Sequence, residues 1–97
     1  MSDYIASDGI YTGSKSAEKG MRLFPAVREY GKRHMATELT ESDLHNVDPM
    51  DGAFEVMTDF LVDFLHLAHS AGVDVDHLFS QAMGHFEPER DAVRIDV

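Results

Sequence analysis

The chain predicts a mainly α fold: a small helical bundle around one long central helix, with short strands at the N- and C-termini as a further expectation. Three observations predict it. Between Met50 and Ala71 an apolar residue recurs at alternating steps of four and three, the period of one helical face. Helix start and stop residues bracket that run at Asp48-Pro49 and at Gly72. With 97 residues, 43% of them hydrophobic, the chain can bury one modest core and reads as a single domain, residues 1–97.

The elements follow in order. Residues 1–13, MSDYIASDGIYTG, read as a hairpin or a flexible arm: Asp8-Gly9 is a turn pair that tolerates positive φ, flanked by Tyr4, Ile5, Ile10 and Tyr11. Residues 14–24 turn from polar to apolar, with Ser16 as the cap of a short helix that Gly20 weakens. GSKS at Gly13–Ser16 lacks the GxxxxGK[ST] spacing of a phosphate loop. Pro25 suits the first position of a second helix, because its φ is already helical and its missing N–H costs nothing there. That helix is predicted over Pro25–Leu39. Val27, Gly31, Met35 and Leu39 lie on one line, and Arg28, Lys32 and Arg33 mostly off it.

Residues 40–48 are a polar connection. Asp48 then caps the central helix, Pro49 takes its first position, and Asp51 favours the positive end of the helix dipole. The helix is predicted to run to about Ala71 and to stop at Gly72 in a left-handed cap. Its seam of Met50, Phe54, Met57, Leu61, Phe64, Ala68 and Ala71 has heptad spacing. With the small size of the chain, that seam predicts a homodimer. A last helix is predicted over Val75–Phe86, capped by Asp74 or Asp76, with Leu78, Phe79, Ala82, Met83 and Phe86 buried. Glu87-Pro88 is its expected end. Residues 90–97 include an alternation of Val93, Ile95 and Val97 with Arg94 and Asp96, which reads as a strand or a frayed tail.

Charge narrows the function classes. Eighteen acids against eight bases give a net charge of −10. Residues 1–33 carry six bases and four acids, whereas residues 34–97 carry fourteen acids and two bases. Such a field repels nucleic acid and favours basic partners. There is no cysteine, hence no disulfide framework and no thiolate site. No run of 18 apolar residues and no basic-then-apolar leader pattern occurs. The expectation is a soluble, cytoplasmic chain without a membrane partner.

The chemistry-bearing candidates lie on the central helix. Glu55, Asp59, Asp63, His66 and Ser70 follow at steps of four, four, three and four, which keeps them on one helical face. Paired carboxylates suit Mg²⁺, a cation that takes oxygen ligands. A helical metal site draws ligands from more than one helix, and Glu38 and Glu41, expected at the end of the second helix, are the candidate contributors beside Glu55, Asp59 and Asp63. Without a metal, the line of acids repels itself. It then calls for a counter-charge, either from Arg28, Lys32 and Arg33 or from another protein. The six histidines form no HExxH or His-x-His pattern, so zinc chemistry has no motif here.

Residues 55–89, EVMTDFLVDFLHLAHSAGVDVDHLFSQAMGHFEPE, resemble a pattern of small uncharacterised helical proteins of phages and plasmids. The resemblance rests on Asp59, Asp63, His66, Leu67, Gly72, Asp76, Ala82, His85, Phe86 and Glu89. It implies a helical protein of a mobile genetic element and brings no activity with it. The same segment is weakly similar to the second half of MazG-type nucleotide pyrophosphohydrolases, which hold Mg²⁺ with an EExxE helix followed by an ExxD helix. Glu38-x-x-Glu41 and Glu55-x-x-x-Asp59 stand in that order. The first lacks the doubled glutamate and the second is one residue too widely spaced.

The expected function is therefore a non-enzymatic acidic protein of a mobile element, needing no cofactor. Glu55, Asp59, Asp63 and His66 would occupy a basic surface of a host protein, in concrete form as an inhibitor of a host defence complex. The alternative is an Mg²⁺-dependent MazG-like hydrolase or a degraded relative of one.

Overall fold

The computed structural model describes residues 15–91. Over that range the protein is a small helical bundle with no strand among the described residues: α1 Lys15–Met35, a 3-10 turn Glu41–Leu44, α2 Gly52–Ser70 and α3 Val75–Asp91. The hairpin or arm expected at 1–13 lies outside the described residues, as do residues 92–97. Arg90 and Asp91, expected to open a terminal strand or tail, instead close α3.

Two predicted helices merge into α1, with Pro25 inside it. An interior proline removes the N–H that would reach the carbonyl of Met21 and costs about 3 kcal/mol or more. Packing outweighs that local rule. Phe24 and Val27 are buried, and Met21 packs on the same cluster from the turn before the proline. Pro25 itself is exposed, so its ring displaces no core side chain.

α1 ends at Met35 rather than at Leu39. Ala36 enters the left-handed region at φ 52°. The Thr37 N–H then donates to the Gly31 carbonyl at 3.0 Å, and the Thr37 hydroxyl donates to the Met35 carbonyl at 3.0 Å. The chain turns back, and Leu39 enters the core from a loop instead of a helix. The Thr40 N–H donates to the Asp43 carboxylate at 2.7 Å and fixes the start of the 3-10 turn.

The cap of α2 is Asp51, not Asp48. Asp48 instead organises the preceding turn: its carboxylate accepts from the Met50 N–H at 2.9 Å, and its carbonyl accepts from the Asp51 N–H at 2.8 Å. The C-terminus is as expected. Gly72 sits at φ 81°. Its N–H reaches the His69 carbonyl and the Val73 N–H reaches the Ala68 carbonyl, both at 3.0 Å, the hydrogen-bond pair of a glycine-terminated helix.

The Asp74 carboxylate accepts from the His77 N–H at 3.0 Å and so supplies the α3 cap. α3 passes through Pro88, an exposed position, before ending at Asp91. Its predicted buried stripe is only partly turned inward. Leu78 and Met83 are half-buried, whereas Phe79, Ala82 and Phe86 are exposed, because α3 touches both other helices without burying any of its side chains fully. A Lys19–Glu89 ion pair at 2.7 Å ties its far end to the start of α1.

The core gathers Phe24 and Val27 of α1, Leu39, and Ala53 and Val56 of α2, with Val56 wholly buried. It depends on Gly31. A Cβ there would stand 3.1 Å from both the Thr37 carbonyl oxygen and a Val56 methyl, so a side chain at this position requires the buried Val56 or the turn at Thr37 to give way. The face of α2 that enters the core therefore runs through Ala53, Val56 and Phe60. The heptad seam is not that face. Met50 is 91% exposed, and Phe54, Met57, Leu61 and Phe64 are each 40–47% exposed, leaving Ala68 as the buried seam residue. Close packing selects the side of α2 with small residues opposite Gly31 and leaves the larger ones outside. Among the described residues, no helix is long and apolar enough to cross a membrane.

Candidate functional site

The acidic line is on the outside of α2 as expected. Glu55, Asp59, Asp63 and His66 are all exposed. At ~100° per residue, Asp59 lies about 160° round the helix from Leu61. One member has a partner from another helix: the Tyr30 hydroxyl of α1 donates to the Asp63 carboxylate, and it also lies 3.2 Å from the Asp59 backbone carbonyl. Tyr30 packs edge-on against Phe60 with 5.4 Å between ring centroids. The hydrogen bond to Asp63 pushes the Tyr30 phenol up to about 12, helped by partial burial and by the charges of Asp63 and Asp59. Ionising the phenol would remove the donor and place a third negative charge beside two carboxylates.

The bases of α1 do not neutralise the line. The Arg28 guanidinium sits 5.6 Å over the Phe24 ring. Lys32 lies 4.0 Å from Glu38, and Arg33 lies 4.0 Å from Glu29 one turn back. All of these pairs are exposed and contribute little. Among the described residues, the side chains of Glu55, Asp59 and His66 make no ion pair or hydrogen bond. The expected internal counter-charge is thus a neutral tyrosine hydroxyl on Asp63 alone.

The carboxylates proposed as metal ligands do not gather. Glu38 lies in the loop after α1 and Glu41 opens the 3-10 turn, so neither stands at the helix end where the sequence put it, because α1 has already closed at Ala36. Among the described residues, no three of the Asp, Glu and His side chains converge as a metal site requires. Glu55, Asp59 and Asp63 share a face, and Glu38 and Glu41 do not join them.

A second feature was not legible as a site in the sequence. Between the N-terminal half of α1 and the middle of α2 lies an open groove of about 770 Å³. Ala17, Gly20, Met21 and Phe24 form one wall, and Met57, Phe60, Leu61 and Phe64 the other, with Leu44 and Val47 of the connection contributing. None of the lining residues is charged. The signal for it was present: α2 carries two apolar arcs, Ala53-Val56-Phe60 and Met57-Leu61-Phe64, and a core this small covers one. Comparison with protein-family models, curated proteins and solved structures finds no match to this chain.

Proposed function

We propose that this protein is a non-enzymatic interaction module whose acidic α2 face occupies a basic surface of another protein. The observation that carries the reading is the state of Glu55 and Asp59. They are exposed, one turn apart, and paired with no cation among the described residues, although the sequence of α1 has six bases. Asp63 and His66 extend the same face. The net charge of −10 adds a long-range attraction for a basic partner and opposes direct contact with nucleic acid.

On this reading the carboxylates substitute for the phosphates of a nucleic acid, and the protein competes for a nucleic-acid-binding surface. The resemblance of residues 55–89 to helical proteins of phages and plasmids supports a mobile-element origin and a target in the host cytoplasm. An inhibitor of a host defence complex is the concrete form, working as a homodimer without a cofactor.

Capture from host lysate at low salt tests it, with tagged wild type beside a Glu55→Lys, Asp59→Lys variant. The expected result is a partner held by the wild type, released as salt rises, and absent from the variant while its circular dichroism is unchanged. Equal capture by both proteins at all salt concentrations overturns the proposal.

A further inference from the structure

We infer that the exposed seam of α2, with the apolar groove beside it, is the contact surface for a second copy of this chain. The inference rests on the two-copy part of the reading above and is independent of the acidic face. The seam residues that the fold leaves outside are the ones with heptad spacing, Phe54, Met57, Leu61 and Phe64. That spacing is the repeat a helix needs to meet another helix with the same repeat, and α2 of a second copy has it.

Charge agrees. Two chains of −10 repel and can meet only over a face free of acids. The seam and the groove lining contain none. The helix that forms one wall, α1, has six bases against two acids in its sequence, Lys19 and Arg22 among them beside the uncharged lining, whereas α2 has three acids and no Lys or Arg. A partner's α2 laid in the groove therefore meets an uncharged lining and brings its acids near no acid of the groove.

The area is adequate. Leu23, Phe54, Met57, Leu61 and Phe64 are each 40–50% exposed. With about 150–250 Å² for a large side chain, each leaves on the order of 80 Å². The pair of copies would thus cover roughly 800 Å² from these side chains alone, and the groove walls extend this towards the about 1,000 Å² at which specific interfaces begin.

The geometry has a functional consequence. Because the acidic line lies on the far side of α2, pairing through the seam leaves it outward on both copies. The dimer then offers two acidic faces, and binding at one raises the effective concentration of the other.

Sedimentation equilibrium of the purified full chain, alone, tests the inference. The mass rises with concentration from 10.8 kDa towards twice that value. Leu61→Glu stays at the single-chain mass with unchanged helix content, and Glu55→Gln, Asp59→Asn pairs at least as well as the wild type. Since the chain has no cysteine, cross-linking gives a second readout. Leu61→Cys, at the middle of the seam, oxidises to a covalent dimer, and Glu55→Cys on the opposite face does not.

A single-chain mass at every concentration overturns the inference. Equal cross-linking at positions 55 and 61 overturns it too. A monomer that still captures a partner through Glu55 and Asp59 removes the pairing and leaves the acidic face standing. A dimer whose capture ignores those residues does the reverse.

Discussion

The two ends of the α1–α2 pair are built from the same kinds of residue and do opposite things. At one end Gly31 meets Val56 so closely that a Cβ would stand 3.1 Å away, and Leu39 seals the contact. At the other end Gly20 faces open space, with nothing within 4 Å of where its Cβ would be. Around it Leu23, Leu61 and Phe64 remain about half exposed. The sealed end holds the fold. The open end leaves apolar side chains uncovered among the described residues, and it is the surface proposed above to meet a second copy.

The sharpest way to break the contrast is to add side chains to the two glycines. Gly31→Val forces methyls into Val56 and the Thr37 carbonyl and should cost about 2–3 kcal/mol, read as a lower urea midpoint. Gly20→Ala meets no atoms and removes a poor helix former, so it should raise stability by roughly 0.5–1 kcal/mol. If both substitutions moved the midpoint the same way, the two ends would not differ as described.

A smaller effect sharpens the boundary between the sealed end and the acidic face. Folding raises the Tyr30 phenol from 10.0 to about 12, so the folded state holds that proton more tightly. Its contribution is complete below pH 10 and is lost as pH rises through about 12. Phenolate absorbance should show one tyrosine titrating late. Asp63→Ala should return it towards the ordinary value, because the hydrogen bond to Asp63 is the largest cause. Tyr30→Phe should remove that share of the alkaline loss of stability.

Local physics explains which features were legible in the sequence. The period of α2, its stop at Gly72 and its acidic outer face each follow from residues within a few turns of one another, and each is where the sequence puts it. Pro25 and Pro88 are helix breakers by local rule. Here the burial of Phe24 and Val27 holds α1 together across Pro25, a tertiary term that no local pattern contains. The facing of α2 was hidden for a related reason. Its apolar residues span a wide arc, and the choice of Ala53 and Val56 over the heptad seam depends on Gly31, a residue of another helix. The Tyr30–Asp63 hydrogen bond joins residues 33 positions apart, so no spacing rule points to it. The line of acids was visible, but that Arg28, Lys32 and Arg33 leave it unpaired emerges only once those three side chains are placed.

Hydrogen exchange along α1 and α2, at low and high protein concentration, tests the contrast between the two ends most directly. The account predicts that amides around Val27–Gly31 and Val56–Phe60 exchange slowest at both concentrations. It predicts that those around Ala17–Leu23 and Leu61–Phe64 are fast when dilute and become protected as concentration rises. Equal protection at both ends, independent of concentration, would contradict it.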